Sequence, residues 1–251
     1  AATLAASGSE PVPSTEMAGP TPTFTIHPTI TASPDYTYQG VSFSYIDGVV
    51  SGAVPEEVPA QTEGPFSHPA FLEFMLDGYP MPGGYFDPQV RVFPVAEYRA
   101  VNEYAGESID ALQTLIDTQP ADPDSIPIPD FGGAAQFIGC QKEYLAFQNG
   151  SGVRYVTQWG QAAYPIGFPQ MFYSFQGLTE DGAYYVHVVF SVGHPSLPDA
   201  ESVTMDEDFY NNYQTYTAEK EAELDAQAPA SFQPSLLLLD QLVASIRVDA
   251  P

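Results

Sequence analysis

Basic residues are scarce in this sequence. Its 251 residues include 6 lysines and arginines against 32 aspartates and glutamates, which gives a formal net charge of −26. Nucleic acid and anionic membrane surfaces carry charge of the same sign, so we expect neither as a partner. Cations, basic partners or simple colloidal solubility agree better with such a surface.

Cysteine and long apolar runs are also lacking. Cys140 is the single cysteine, so no internal disulfide can form. We interpret it as a small buried residue, because a catalytic thiol would need a histidine partner and none is implied nearby. No apolar run reaches the roughly 18 residues of a membrane-spanning helix.

The first residues show neither an initiator methionine nor an apolar signal core. We therefore expect a mature end from which a signal peptide has been removed. Little lysine, together with abundant Tyr, Thr, Gln and Pro, also favours export to the cell surface or the extracellular space. A lipid-modified cysteine before Ala1 would make the protein a lipoprotein, so a lipid anchor is an open alternative.

Motifs of common active sites are absent. The chain has no G-x-S-x-G, H-E-x-x-H, dinucleotide-binding or phosphate-loop motif. Of its four histidines, His27, His68 and His194 precede proline, and no pair has the helical spacing of a zinc site. The sequence therefore predicts no catalytic residue, no histidine metal site and no cofactor.

Carboxylates are abundant instead. Asp122, Asp124 and Asp130 lie in one Pro/Asp-rich loop and are the calcium candidates, because calcium prefers oxygen ligands, although the EF-hand pattern is missing. The alternative is a solvated surface loop. Asn149 begins an Asn-Gly-Ser glycosylation sequon, but a glycine-rich hairpin turn explains the same residues.

Residues 1–35 form an arm rich in Pro, Thr, Ser and Ala. Such a segment buries too little apolar surface to fold alone. Within it, the stretch "TPTFTIHPTITA" has strand-forming residues interrupted by proline, as on an edge strand; these are Thr23, Phe24, Thr25, Ile26 and Ile30. We expect this segment either to add to the sheet edge of another subunit or to lie on its own domain.

Residues 36–251 predict a single α+β domain in which helices pack on a mostly antiparallel sheet. Hydrophobic periodicity and turn residues predict its elements. They are two strands around Asp47-Gly48, strands at 70–79 and 89–95, a helix at 107–120, a hairpin turning at 149–152, a hairpin at 172–192, a helix from a capping box at Thr204, and a helix from Pro234.

His187 falls in the second strand of the 172–192 hairpin. Alternation places it on a half-polar face with Tyr185, Val189 and Ser191, opposite an apolar face. We therefore interpret His187 as an ordinary position on a sheet.

Three stretches, "YQGVSFSYIDGVVSGAV", "QVRVFPVAEY" and "LLLLDQLVASIRV", resemble exported α/β/α sandwich domains of the PsbP/Mog1-like type. The stretch "GVRYVTQWGQ…FYSFQGLTEDGAYYVHVVFSV" is similar to a family of uncharacterised exported proteins or lipoproteins from filamentous environmental bacteria. The resemblance spans residues 36–248 and implies this sandwich fold and export. It implies no chemistry, because a fold does not determine a function.

Three functions follow as hypotheses. The first is a non-enzymatic extracytoplasmic protein that acts through contacts with itself or another surface protein, as a subunit of a filament, sheath or similar assembly docked by its arm. The second is a monomeric lipoprotein that binds a solute or lipid between sheet and helices. The third is a carboxylate-dependent hydrolase with two acidic side chains in a cleft beside His187 or another polar group.

Overall fold

Ten strands and five α-helices occur in the part of the chain that the computed structural model describes, which is residues 34–81, 83–123, 125–130, 134–198 and 200–249. The strands are β1 Tyr36–Tyr38, β2 Val41–Phe43, β3 Gly52–Val58, β4 Phe71–Asp77, β5 Gln89–Pro94, β6 Ala135–Phe147, β7 Gly150–Gly160, β8 Phe172–Thr179, β9 Tyr184–Ser191 and β10 Arg247–Val248. The helices are α1 Val95–Val101, α2 Glu103–Thr118, α3 Glu207–Asn211, α4 Tyr213–Asp225 and α5 Leu236–Ser245. The arm residues Thr23, Phe24, Thr25, Ile26 and Ile30 and the calcium candidate Asp124 lie outside the described residues.

The strands form two antiparallel sheets. A seven-stranded sheet has the order β3-β4-β5-β9-β8-β7-β6, and a three-stranded sheet has the order β1-β2-β10. Pairing of β5 with β9 joins the early strands to the later hairpins. The other neighbours in the large sheet are consecutive strands, whereas in the small sheet β10 returns from the end of the described chain to pair with β2.

Apolar side chains cover both faces of the large sheet. One core lies beneath α1 and α2 and includes Phe93, Ile109, Leu112 and Tyr185. The other lies beneath α5 and the small sheet and includes Phe43, Phe74, Phe190, Leu239 and Leu242. The α+β class, with helices on a mostly antiparallel sheet, is therefore confirmed. None of the described helices has the length and apolar character needed to cross a membrane.

A turn forms at Asp47-Gly48 as predicted, closed by a bridge between Ile46 and Val50, but the flanking strands β2 and β3 belong to different sheets and the first paired hairpin lies earlier. β1 pairs with β2 across Gln39 and Gly40, whose φ values of 42° and 80° suit a tight two-residue hairpin. The turn at Asp47-Gly48 lies where the chain passes from the small sheet to the large one.

The helix predicted from a capping box at Thr204 begins later and is broken. Its first segment, α3, is capped by Asp206, whose Oδ1 accepts a hydrogen bond from Phe209 N at 3.0 Å. An interruption at Asn212 separates α3 from α4. The capping box is therefore wrong, because Asp206 already provides the oxygen that a free N–H at a helix start requires.

Candidate functional site

A row of polar side chains crosses the large sheet. Arg91 in β5 pairs with His187 in β9, and His187 pairs with Gln176 in β8. Directly paired residues point their side chains to the same face, so these three lie side by side. Tyr185, two positions before His187, belongs to the core beneath α1 and α2, which assigns the row to that face.

Asp130 joins this row from the loop that follows α2. Its Oδ2 accepts a hydrogen bond from Arg91 Nη1 at 2.8 Å and lies 3.1 Å from His187 Nδ1. Arg91 Nε donates to Glu73 Oε1 at 2.7 Å, so two carboxylates converge on one guanidinium. His187 is 3% exposed and the Asp130 side chain is 22% exposed, so the cluster lies at the margin of the core.

The charges around Asp130 decide its protonation. Burial opposes ionisation, but the hydrogen bond with His187 and the positive charge of Arg91 outweigh it and hold the pKa of Asp130 well below its ordinary value. A carboxyl group that donates protons at neutral pH needs a raised pKa. Asp130 is therefore suited to binding cations and unsuited to acting as a general acid.

Ser174 extends the cluster to an aspartate, a histidine and a serine in series. His187 Nε2 lies 3.5 Å from Ser174 Oγ, and Gln176 Nε2 donates to the same oxygen at 2.8 Å. A histidine whose Nδ1 faces a carboxylate presents Nε2 as the base, which is the order of groups in a serine hydrolase. This tautomer is assigned from the hydrogen-bond partners.

Access distinguishes this cluster from a hydrolytic site. Ser174 is 0% exposed, whereas a nucleophile must come within about 3–3.5 Å of its substrate. Asp130 lies beside His187 and Glu73 converges with it on Arg91, so both carboxylates are bound to the guanidinium of Arg91. The hydrogen bonds of this cluster therefore satisfy polar groups inside the fold, and its serine is enclosed by protein.

Two buried tyrosines complete the polar face. Tyr185 Oη donates to Gln176 Oε1, and Tyr155 Oη has no hydrogen-bond partner in the described structure. Burial raises the pKa of both hydroxyls, so both tyrosines are neutral at ordinary pH.

Replacing Asp130 with asparagine should lower the free energy of unfolding by about 2 kcal/mol at neutral pH, because hydrogen bonds to charged groups are the strong ones. The pKa of Asp130 is lowered in the folded state, so the unfolded chain binds the proton first as the pH falls. The stability that Asp130 adds is complete above its ordinary pKa of 3.8 and is lost as the pH falls through the lower folded value. Urea unfolding from about pH 7 to about pH 2 should show the variant and the original protein converge in acid.

Asp122→Asn is the matched control for this experiment. The Asp122 side chain is 87% exposed where it meets Lys142, and such surface pairs change stability little at any pH. A stability difference for Asp130→Asn that stayed constant down to low pH would contradict the charged role assigned to Asp130.

The other sites predicted from the sequence lie apart from this cluster. Asp122 pairs with Lys142, and within the described residues no group of three or more His, Cys, Asp or Glu side chains could hold a metal ion. Asn149 Nδ2, the atom that a glycan would modify, donates to Val248 O at 2.6 Å. Glycosylation of Asn149 stays a prediction, and the modification would disturb this hydrogen bond. Cys140 is buried as predicted, and burial raises its pKa.

An apolar groove of about 300 Å³ lies between the small sheet and the β4–β5 side of the large sheet. Its lining includes Val41, Leu72, Val92, Tyr184 and Val248. Pockets for small molecules usually measure about 300–1,000 Å³, so this groove could hold only a small ligand.

The two edges of the large sheet differ. At one edge, the backbone of β6 is covered by the end of α4: Gly139 N donates to Glu221 Oε2 at 3.1 Å, and Gln141 N donates to Asp225 Oδ1. At the other edge, β3 pairs only with β4 among the residues that the structure describes. Among the described residues, one edge is therefore protected by side chains and the other, called the open edge here, has no strand beside it.

Neither the buried cluster nor the open edge was predicted from the sequence. Asp130, Ser174 and His187 come from a loop and two strands, and their order matches no local motif. The alternation along β9 was the only signal, and it placed His187 on the correct face without indicating its partners.

Comparisons of this chain with protein-family models, curated proteins and solved structures found no match. The resemblance to PsbP/Mog1-like domains and exported lipoproteins stays a prediction that rests on the stretches quoted for it.

Proposed function

We propose that the protein works outside the cytoplasm through protein–protein contacts, as a self-associating subunit or surface component of an extracellular assembly such as a filament or sheath. It catalyses no reaction in this role. The open edge of β3 carries the proposal, because the described part of the chain leaves this side of a seven-stranded sheet without a partner.

An open strand edge presents free N–H and C=O groups that accept a further strand. The arm is a suitable donor, because its segment from Thr23 to Ile30 is rich in strand-forming residues and too small to form a core of its own. The contrast with the covered β6 edge supports this assignment, since α4 covers that edge and no other described strand lies beside β3.

The buried cluster supports a role without catalysis. Asp130, His187, Ser174 and Gln176 are linked in series by close polar contacts, and Ser174 is enclosed by protein. The domain is proposed to be a sandwich of the PsbP/Mog1-like type, which agrees with helices on both faces of the sheet. Export is proposed from the acidic, lysine-poor composition.

The apolar groove favours a second candidate, a lipoprotein that binds a solute or lipid. Its volume of about 300 Å³ limits the ligand to a small molecule or the end of one acyl chain. Fluorescence titration with a short fatty acid tests this candidate, and Leu72→Trp, which fills the groove, should abolish the binding. Equal binding by the original protein and by Leu72→Trp would exclude the groove as the binding site.

Removing residues 1–33 should convert the associated protein to a monomer, because the strand donor is lost while the described fold is kept. Pro34 and Asp35 stay in the shortened chain, since Asp35 Oδ2 accepts a hydrogen bond from Tyr45 N at 2.8 Å. Sedimentation velocity over a range of concentrations measures the association of both chains. An unchanged melting temperature would show that the fold is intact.

A chain whose first 33 residues are shuffled is the matched control, because it keeps length and composition and loses the order of strand-forming residues. It should behave like the shortened chain. If the shortened chain associates as the full one does, or if the full chain is monomeric at every concentration, the proposed function is wrong.

A further inference from the structure

The floor of the apolar groove is a face of the large sheet. Leu72 in β4 is paired with both Glu57 in β3 and Val92 in β5, and paired side chains point to the same face. Leu72 packs against the core beneath α5 and the small sheet, which assigns this row to that face. Tyr184 in β9 is paired with Pro94, two positions after Val92, and extends the floor. The floor is therefore apolar, with a carboxylate on its β3 side.

The small sheet forms the opposite wall of the groove. Val41 in β2 is paired with Val248 in β10, and both residues are buried and line the groove. Asp249 N donates to Gly40 O at 2.9 Å, so the end of β10 is held beside the turn between β1 and β2. Strand pairing therefore sets both walls, as in the largely pre-formed sites that bind small molecules.

The mouth of the groove, formed by Glu57, Glu97 and Asp249, is acidic. These three residues are exposed, and no Lys, Arg or His is among the described residues of the lining. Asp249 is paired with Arg247, whose Nε donates to its Oδ2 at 2.8 Å, so the charge of this carboxylate is balanced. Glu57 and Glu97 form no ion pair with another residue that the structure describes. Their charges leave the mouth negative.

Neutral groups hold the carboxylate of Glu57 in place. Its Oε1 accepts a hydrogen bond from Tyr38 Oη at 3.1 Å and another from Gln39 Nε2. Neither donor carries a charge, so the carboxylate keeps its negative charge while its position is restricted. A cation that meets a restricted carboxylate causes a smaller loss of side-chain freedom on binding.

Apolar walls and a negative mouth together select an amphipathic cation. The hydrocarbon part of such a molecule is removed from water against Val41, Leu72 and Val92. Its ammonium group lies at the mouth beside Glu57 and Glu97, where it stays in contact with water and avoids the cost of a buried charge. A fatty acid of the same length would bring a third carboxylate to these two, and like charges repel.

We propose that this groove binds a small organic cation with a short apolar body, such as a short alkylammonium ion, and that Glu57 and Glu97 recognise its charge. The inference rests on the second candidate function, the binding of a solute in this groove, and it names the chemical class of that solute. It does not require self-association.

Hexylammonium and hexanoate test the inference, because they share an apolar chain and differ in the charge of the end group. Ligand-observed NMR titration of the full chain measures both dissociation constants, at neutral pH and about 0.15 M salt, which screens unspecific attraction to the acidic surface. Hexylammonium should bind at least about tenfold more tightly than hexanoate, because the mouth attracts the first ion and repels the second. Leu72→Trp, which fills the groove, should abolish the binding of hexylammonium.

Glu57→Gln combined with Glu97→Gln tests the role of the two carboxylates. This double variant should bind hexylammonium about tenfold more weakly, because two favourable charge contacts are lost. It should bind hexanoate no more weakly than the original chain does, since the apolar walls are unchanged. Unchanged melting temperatures would show that the variant is folded.

Glu56→Gln combined with Glu103→Gln is the matched control. Glu56 is exposed next to Glu57 in β3 and points to the opposite face of the sheet, and Glu103 lies in the first turn of α2 as Glu97 lies in the first turn of α1. Neither control residue is among those that line the groove. The control has the same net charge as the first double variant and should bind hexylammonium as the original chain does.

The possible results separate this inference from the candidate function on which it rests. If hexanoate binds as tightly as hexylammonium and Leu72→Trp abolishes both, the inference is wrong and the second candidate function stands. If neither ion binds, both are wrong. Equal weakening by the two double variants would show a response to net charge alone and would overturn the inference, as would hexylammonium binding that persists in Leu72→Trp. Self-association is measured separately by sedimentation and is decided by none of these results.

Discussion

Replacing Asp240 with alanine should lower the free energy of unfolding by about 3–5 kcal/mol, because it leaves a buried arginine without its counter-charge. Asp240 in α5 and Arg154 in β7 are 0% and 3% exposed. Arg154 Nε and Nη2 donate to the two carboxylate oxygens at 3.1 Å each, and Tyr173 Oη donates to Oδ1 at 3.0 Å. The pair fixes α5 on the large sheet, so its loss should loosen the helix that closes the larger core.

Urea unfolding followed by fluorescence measures this effect. Asp249→Ala is the matched control, because Asp249 pairs with Arg247 at the surface, where about half of each side chain is exposed, and such pairs add little. Arg154→Met combined with Asp240→Leu should be less destabilising than Asp240→Ala alone, since apolar residues can replace a buried pair. A loss below about 1 kcal/mol for Asp240→Ala would contradict the burial assigned to this pair.

Local patterns in the sequence predict several elements correctly. The apolar runs at 70–79 and 89–95 become β4 and β5, and the helical stripe of Ile109, Leu112, Leu115 and Ile116 is buried in α2. The 172–192 hairpin is confirmed as β8 and β9. These predictions are correct because the spacing of apolar residues within one segment already shows which face of the helix or strand is buried.

Contacts between distant segments could not be predicted in the same way. Arg154 and Asp240 are 86 positions apart, and Asp130 and His187 are 57 apart. Their meeting depends on the pairing of β5 with β9 and on the positions of α5 and the loop after α2, none of which leaves a local pattern. The open β3 edge likewise depends on the strand order of the whole sheet.

The glycine-rich stretch after Asn149 shows how a local signal can mislead. It predicts a turn at 149–152, but Phe147 pairs with Gly150, so the turn is formed by Gln148 and Asn149. Gly150 and Gly152 lie inside β7. They are needed there because neighbouring chain lies too close to admit a side chain, which is a property of packing and leaves no mark in the sequence.

Replacing Gly152 with alanine should therefore destabilise the fold by about 3 kcal/mol, which is large for one added methyl group. A Cβ at this position would lie 2.6 Å from Gly177 Cα and 2.7 Å from Phe175 Cζ, and it would also meet the carbonyl oxygen of Gln176. Two of these atoms belong to the backbone of β8, so a side-chain rotation cannot relieve the overlap and the paired strands must separate.

Ser151→Ala is the control for this substitution, because it changes the adjacent, half-buried residue of the same strand without adding an atom where β8 approaches. Urea unfolding of both variants should show a large loss for Gly152→Ala and a small one for Ser151→Ala. If Gly152→Ala fails to fold, its insolubility beside a soluble Ser151→Ala gives the same result. If the two variants were equally stable, the result would contradict a close approach of β7 and β8 at Gly152. The glycines would then be explained by the predicted turn.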